Sequence, residues 1–318
     1  MKLLRINPYM AGMIAAFLAI AMMLVFGRMG ILALLPAIFA SLPIYVAALG
    51  WGTRAGLVAT VSMAMLGSAT GGIGNGLIIA FLVAAPAALA GHQANLAQPS
   101  EKDSDTMVWF PLSRILFWIS LLVAAAILAF GLMLDFDPTV LGPKFGEQLM
   151  ASLSAGPDAP KITQDELNNI VTANIRLLPF ALPSIWVAIH MLNFLLGMRI
   201  ARRFGVLARP REDFAANLNM PLMSLGLLVI SLVGMGLLPS PIHFGFEVIA
   251  GALVMAFSLV GLANMHKNTR GWAGRKFMLI ITYGVIVPML FPIYLFSISG
   301  IVKAAKTSDF KTHQPPNQ

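Results

Sequence analysis

Residues 111–134, PLSRILFWISLLVAAAILAFGLML, form an apolar stretch in which Arg114 is the only charged residue. A helix of about 20 apolar residues crosses the roughly 30 Å hydrocarbon core of a bilayer, so this stretch predicts a membrane span. Eight further runs are apolar over similar lengths. The predicted spans are 8–27, 31–50, 54–69, 73–91, 111–134, 176–198, 217–238, 242–265 and 275–302. Because the third is short and the last is long, we expect about nine spans, within limits of eight and ten.

The composition agrees with a membrane protein. Of the 318 residues, 58% are hydrophobic and 11% are charged, whereas soluble proteins carry about 25% charged residues. No polar segment is long enough for a second core, so we predict one all-α, polytopic transmembrane helix bundle over residues 1–302. Residues 303–318 are rich in Lys, Thr, Gln and Pro, which predicts a disordered tail. The chain has no cysteine, which excludes disulfides and cysteine nucleophiles.

The basic residues lie in short loops between the predicted spans. Loop 199–213 holds five arginines and two acids, and loop 266–276 holds four bases and no acid. The positive-inside rule places both loops, and with nine spans also the N-terminus, in the cytoplasm. This accounts for the net charge of +8, so we expect the lipid bilayer, and no nucleic acid, as a partner. Nine spans put Lys303, Lys306 and Lys311 on the other side, so either the last segment is re-entrant or the tail violates the rule.

The acidic connection 135–175 is predicted to lie on the side opposite the basic loops. Its Thr163-Gln164-Asp165-Glu166 segment has the Ser/Thr-x-x-Glu pattern of a capping box, which predicts a short amphipathic helix from Thr163. A second short helix is predicted over 145–153. Two interpretations stay open: a flap over a membrane cavity, or helices that rest in the membrane interface, which we favour.

His190 lies near the middle of the predicted span 176–198, with Trp186 one turn away on the same face and Asn193 three residues later. Ionisable groups inside a membrane are costly and are therefore candidates for ligand or proton binding. The alternative is a structural histidine whose two ring nitrogens bond to neighbouring helices. All three residues are candidate ligand-binding residues.

Glu247 is the only carboxylate within an otherwise apolar predicted span, and His243 lies one helical turn before it. The two groups could form an ion pair, a proton relay or part of a cation site, and both are candidate ligand-binding residues. The alternative is that both are solvated at the membrane interface. Since no complete ligand set is visible, no metal site is predicted.

The glycine-rich run 67–76, GSATGGIGNG, has neither spacing of a phosphate-binding loop. It predicts a tight connection between the third and fourth spans. The sequence also lacks the HExxH and GxSxG motifs and paired catalytic carboxylates, so we predict neither an enzyme nor a cofactor.

Pro36 and Pro43 lie two helical turns apart, and each removes an intrahelical hydrogen bond and frees a carbonyl. Such carbonyls persist in a membrane only where protein or a water-filled cavity satisfies them. Two further pairs occur at Pro179 and Pro183 and at Pro288 and Pro292. Three broken helices predict a ligand cavity lined by Pro36, Pro43 and Tyr45. The alternative is kinked helices that pack without a ligand.

Ala11, Ala15 and Ala19 recur every four residues in the first predicted span. A stripe of small residues lets another helix approach closely. The stripe is explained either by packing inside the chain or by the docking of a partner protein.

The stretch LPAIFASLPIYVAALGWGTRAGLVATVSMAMLG, residues 35–67, resembles the YybS-like family of bacterial membrane proteins of unknown function. The resemblance depends on Pro36, Pro43, the run Gly50-Trp51-Gly52, and Arg54. That family is distantly similar to the substrate-binding S-components of energy-coupling-factor vitamin transporters. S-components dock a transmembrane coupling subunit, which works with an ATPase, through an Ala-xxx-Ala face on the first helix. The resemblance therefore implies such partners for the alanine stripe.

The leading hypothesis is a small-molecule binding or transport subunit of the bacterial cytoplasmic (inner) membrane, with an unidentified ligand between the broken helices and His190. The second hypothesis is a membrane scaffold that does not transport, and that docks partners through the first span and loop 199–213.

Overall fold

A computed structural model describes residues 6–29, 34–101, 105–154, 162–239 and 242–312. Within these ranges the chain is helical apart from one two-stranded antiparallel hairpin, so the all-α class is confirmed. The α-helices are α1 Pro8–Met29, α2 Leu34–Ile38, α3 Leu42–Trp51, α4 Thr53–Ile79, α5 Ala85–Ala94, α6 Leu112–Met133, α7 Pro138–Ser154, α8 Gln164–Arg203, α9 Phe214–Asn217, α10 Met223–Leu237, α11 Ile242–Asn268, α12 Arg275–Met289 and α13 Phe296–Thr312. A π-helical segment, Ala80–Ala84, joins α4 to α5, and a 3₁₀ segment, Phe291–Leu295, precedes α13. The strands are β1 Ala97–Pro99 and β2 Met107–Trp109.

Helices long and apolar enough to cross a membrane are present in the described ranges. Four helical stretches meet both conditions, namely Thr53–Ala94, Leu112–Met133, Gln164–Arg203 and Ile242–Asn268. Shorter apolar helices cover Pro8–Leu24, Leu35–Trp51 and Leu222–Leu237. These lengths and compositions fit a membrane protein, and the count of nine spans stays a prediction.

The predicted tight connection at 67–76 interrupts α4. Gly71 and Gly72 have non-helical backbone angles, and the φ of 82° at Gly72 is one that favours glycine. A β-carbon on Gly67 would lie 3.0 Å from the Cα of Gly76. At the far ends of the two arms, Thr53 Oγ1 lies 2.6 Å from His92 Nδ1. The chain therefore reverses direction here, which agrees with separate segments at 54–69 and 73–91.

The small-residue face of α1 is covered by α4. Ala11, Ala15 and Ala19 are all buried. A β-carbon on Gly12, on the same helix, would lie 2.5 Å from the carbonyl oxygen of Ala55. The burial of the stripe agrees with the alternative of packing inside the chain, and the docking of a partner stays a prediction.

The connection 135–175 contains two helices in its described parts, as predicted, but their bounds differ from the predicted ones. The capping box is present, since the Glu166 backbone N–H donates to Thr163 Oγ1 at 3.3 Å and the Thr163 N–H donates to Glu166 Oε2 at 2.9 Å. The helix that it starts is not short, because α8 continues for 40 residues to Arg203. The second predicted helix is the longer α7. Its glycines pack on α8, where a β-carbon on Gly142 would collide with the Thr172 side chain.

Pro179 and Pro183 lie inside α8 and do not break it, so one of the three predicted breaks is wrong. A side-chain contact ties this region to α11. The single Ser184 Oγ–H is shared between the Phe180 carbonyl at 2.9 Å and the Gly251 carbonyl of α11 at 2.7 Å. Gly251 has no side chain, which lets the two helices approach closely.

The predicted span 275–302 is not one helix. It breaks at Leu290, whose φ is 55°, between α12 and the 3₁₀ segment that contains Pro292. From there α13 runs beside α11, and Lys303 Nζ donates to the Leu218 carbonyl at 2.8 Å. Residues 303–312 are helical rather than disordered, because α13 extends to Thr312. The rest of the predicted tail, 313–318, lies outside the described residues.

Both basic loops lie at one end of the bundle, which we call the basic end. Arg270, after α11, forms an ion pair with Asp213, in the loop after α8. Lys303, near the middle of α13, contacts the Leu218 carbonyl just beyond that loop, so α13 reaches this end. The last segment therefore returns toward the basic loops, and whether it is re-entrant in a membrane stays a prediction. The side of the membrane on which this end lies stays a prediction.

Candidate functional site

The break between α2 and α3 is bridged by Asn193 of α8. The Leu42 N–H bonds to the Phe39 carbonyl at 3.0 Å and leaves the Ile38 carbonyl without its helical donor. Asn193 Nδ2 donates to that carbonyl at 2.7 Å and to Ser41 Oγ at 2.9 Å. The carbonyl freed at this break, next to Pro43, is thus satisfied by protein, as a polar group inside a membrane must be.

His190 has a hydrogen-bond partner at each ring nitrogen. Nε2 lies 2.8 Å from the Leu82 carbonyl, and Nδ1 lies 3.2 Å from the Tyr45 hydroxyl. Leu82 belongs to the π-helical segment and precedes by four residues Pro86, which has no N–H to donate. Since a carbonyl only accepts, Nε2 carries the proton and Nδ1 accepts from Tyr45. This is the arrangement of a structural histidine.

The predicted ligand-binding residues of α3 and α8 therefore lie together, but their polar atoms serve the chain itself. Tyr45, His190 and Asn193 are fully buried. The Trp186 ring lies 6.0 Å from the His190 ring, centroid to centroid. Among the solvent-shielded polar side-chain atoms of Tyr45, His190 and Asn193, Asn193 Oδ1 has no hydrogen-bond partner in the described chain. The geometry supports the alternative of broken helices that pack without a ligand.

His243 and Glu247 lie apart from this cluster, in the first turns of α11. His243 Nε2 is 3.8 Å from Glu247 Oε2, and both side chains are partly exposed. Among the described residues no group of three His, Cys, Asp or Glu side chains could hold a metal ion. The distance fits a weak ion contact between the two side chains.

A cavity of about 1020 Å³ opens at the basic end. In the sequence, the arginines of this cavity indicate only the orientation of the chain. The described residues of its wall include seven arginines and two acids, together with apolar side chains. The described wall residues are Leu112, Leu195, Met198, Arg199, Arg202, Arg203, Arg209, Pro210, Arg211, Glu212, Asp213, Phe214, Ala215, Arg270 and Arg275. We call this the basic cavity.

Two of the arginines are held by the two acids. Arg209 is buried, and its Nε lies 2.8 Å from Glu212 Oε1 while its Nη1 donates to the Phe110 carbonyl at 2.9 Å. Burial lowers the pKa of the Arg209 guanidinium, and the charge of Glu212 opposes that shift. Arg270 donates to both carboxylate oxygens of Asp213, with an Nη2–Oδ1 distance of 2.6 Å. These hydrogen bonds hold the pKa of Asp213 well below its usual range.

The other five arginines of the wall have no carboxylate partner within the described ranges. Arg202 donates to the Pro210 carbonyl at 3.3 Å. Arg275 is half-buried, and its Nε is shielded from solvent without any hydrogen-bond partner in the described chain. Arg275 is also the first residue of α12, which has no side-chain cap and no acid in its first turn. Unsatisfied donors of this kind can bind an anion.

The preference for arginine over lysine in loop 199–213 is the sequence signal that could have revealed this cavity. Loop 199–213 contains five arginines and no lysine, although lysine serves the positive-inside rule equally well. Arginine presents a planar fork of donors that suits phosphate and carboxylate groups. What the sequence could not show is that Arg270 and Arg275 face the same space.

The function of this chain is inferred from the geometry of its sites, because comparisons with known proteins give no match. No family model, no curated protein and no solved structure matches this chain.

Proposed function

We propose that this chain is a polytopic membrane protein that binds a small anionic molecule in the basic cavity. The observation that carries the proposal is a concave space of about 1020 Å³ with seven arginines and two acids on its described wall. Small-molecule sites have volumes of about 300–1,000 Å³, so the space is large enough for a metabolite. A small-molecule ligand is therefore still proposed, but its site lies at the basic end and not between the proline-broken helices.

Orientation by positive charge does not explain the cavity by itself. That rule needs bases near the ends of spans, and it needs neither a concave arrangement nor arginine in preference to lysine. Seven of the chain's twelve arginines line the cavity, and none of its nine lysines does so within the described ranges. Gathering like charges costs energy, which a bound anion offsets.

The proposal stops at binding and does not extend to ATP-coupled transport. The resemblance to S-components would use the alanine face of α1 for docking. Ala15 and Ala19 of that face are buried inside the chain, and Gly12 of the same helix packs against Ala55 of α4. Loop 199–213, which the scaffold hypothesis uses as a docking surface, contributes residues 199, 202, 203 and 209–213 to the cavity wall.

The test measures thermal unfolding of the detergent-purified protein with pyrophosphate or citrate, each against sodium chloride at equal ionic strength. We expect at least one multivalent anion to stabilise the protein, by about 2.7 kcal/mol at a concentration 100 times its Kd. The double variant Arg202→Gln, Arg275→Gln should lose this stabilisation. Lys276→Gln is the matched control, because Lys276 is exposed beside Arg275 and off the described cavity wall. If neither anion stabilises the wild type more than the double variant, the proposal is wrong.

A further inference from the structure

We infer that the anion held by the basic cavity is a phosphate compound with at least two negative charges, which the guanidinium group of Arg275 binds. The inference rests on the proposed function and specifies the class of ligand. It follows from the charge of the cavity, the geometry of the free donors and the apolar part of the wall.

The charge of the cavity calls for a multivalent ligand. After the two acids are paired with Arg209 and Arg270, five arginines on the described wall keep uncompensated charge. A monocarboxylate would neutralise only one of them. A single phosphate ester carries about 1.5 to 2 negative charges at neutral pH, and a diphosphate carries more. A ligand with one or two phosphates therefore fits this excess better than a simple acid does.

The free donors around Arg275 favour a tetrahedral group. The Arg275 guanidinium has no carboxylate partner within the described ranges, and Arg275 begins α12, whose first turn has no side-chain cap. Its own backbone N–H bonds to the Trp272 carbonyl at 3.1 Å, so the N–H groups that follow it in this turn are the ones left for an anion. A phosphate has three terminal oxygens, so it can accept from a guanidinium and from the N–H groups of a helix N-terminus at the same time. A planar carboxylate has only two oxygens for these donors.

The wall also has an apolar part. Leu195 and Met198 lie on α8 just before Arg199, and Leu112 begins α6. A ligand that fills the cavity therefore contacts charged and apolar side chains at once. The head group of an anionic phospholipid and a soluble phosphorylated metabolite both have this chemistry, since each joins phosphate to a less polar body.

The first arm of the experiment compares pyrophosphate with citrate on the purified full-length chain by calorimetric titration. Both probes are multivalent, and only pyrophosphate offers tetrahedral phosphates. We expect pyrophosphate to bind at least about tenfold more tightly, since one additional charge-assisted hydrogen bond is worth about that factor. Arg275→Gln should weaken pyrophosphate binding about 10- to 100-fold. Arg275→Lys keeps the charge but loses the fork, so its binding should fall about tenfold.

The second arm distinguishes the two sources of phosphate. The protein is placed in nanodiscs of phosphatidylcholine alone or of phosphatidylcholine mixed with cardiolipin, and pyrophosphate binding is measured in each. Weaker binding in the cardiolipin discs supports a lipid head group, because the lipid then competes for the site. Equal binding in both discs supports a soluble phosphate compound.

Several outcomes would overturn the inference. If citrate binds as tightly as pyrophosphate, or if Arg275→Lys binds pyrophosphate like the wild type, the cavity selects charge rather than phosphate, and the proposed function stands without the inference. If neither probe binds, the proposed function itself fails. Lys276→Gln and a far-ultraviolet circular dichroism spectrum of each variant show whether a loss of binding reflects the site or the fold.

Discussion

Two polar regions of this molecule differ in where their donors point. In the His190 cluster, both ring nitrogens and the Asn193 amide nitrogen bond to Tyr45, Ser41 and the backbone carbonyls of Leu82 and Ile38. In the basic cavity, five arginines of the described wall lack a carboxylate, and the Arg275 Nε lacks any partner. The donors of His190, Tyr45 and Asn193 all have partners inside the chain, and Asn193 Oδ1 is an acceptor without one, whereas several donors of the basic cavity have no partner within the described residues. A polar residue deep in a membrane protein is therefore a weaker indication of a ligand than a donor left without a partner.

The largest expected effect is that of His190→Leu on stability. The substitution leaves the Leu82 carbonyl and the Tyr45 hydroxyl buried without a partner, which should cost about 2–6 kcal/mol. Chemical unfolding in detergent measures this cost. Tyr45→Phe should cost less in the His190→Leu background than alone, because the hydroxyl then has no bond to lose. If His190→Leu instead abolishes pyrophosphate binding and keeps full stability, the two regions have been assigned the wrong roles.

Arg209→Leu should lower stability, as His190→Leu does, although Arg209 belongs to the cavity wall. Arg209 is bonded to Glu212 and to the Phe110 carbonyl. Removal of the guanidinium leaves that carbonyl without its donor and should lower the free energy of unfolding by about 1–3 kcal/mol. The same unfolding assay measures it. A loss of pyrophosphate affinity with unchanged stability would contradict this assignment.

The double variant Arg199→Gln, Arg203→Gln should show the opposite behaviour. Both side chains are exposed, line the cavity and have no acid partner within the described chain. Stability should stay within about 0.5 kcal/mol of the wild type. Pyrophosphate affinity should fall several-fold, because two positive charges are removed from the wall, and calorimetry measures the change. Lys267→Gln, exposed at the same end and off the described wall, is the control.

The smallest expected effect is a gain in pyrophosphate affinity. Asp213→Asn removes a negative charge from the wall and releases Arg270, so pyrophosphate affinity should rise about two- to fivefold. Arg270 lowers the pKa of Asp213, so the carboxylate stays ionised in the folded state below the usual value of about 3.9. The pair's contribution to stability is therefore present above that value and lost as the pH falls through the lower folded pKa.

It follows that the gain in affinity should be the same from about pH 5 to 8, where Asp213 is ionised throughout. Glu147→Gln, on α7, removes a carboxylate off the described cavity wall and should leave pyrophosphate affinity unchanged. A gain that disappears at the acid end of this range would mean that Asp213 titrates there and that Arg270 does not hold it.

Local patterns in the sequence predicted local structure well. The run PLSRILFWISLLVAAAILAFGLML at 111–134 is α6, Leu112–Met133. The capping box at Thr163 and the reversal at Gly71 and Gly72 are both present. Each depends on residues a few positions apart, whose preferences act before any tertiary contact forms.

Features that depend on long-range packing could not be predicted in this way. Pro179 and Pro183 predicted a break, yet α8 stays continuous there. In the same region Ser184 bonds to the Gly251 carbonyl of α11. The basic cavity joins residues of α8, the following loop and α12. Spacing within each loop contains no information about which loops meet.

The continuity of α8 has a mechanical consequence. At 1.5 Å per residue, its 40 residues form a rod about 60 Å long, twice the thickness of the hydrocarbon core. Arg199, Arg202 and Arg203 stand at one end, and the capping box at Thr163, with α7 packed nearby, stands at the other. A tilt of a few degrees at the arginine end would move the far end by several ångström. A movement of the helix that carries cavity arginines is thus transmitted from one face of the bundle to the other.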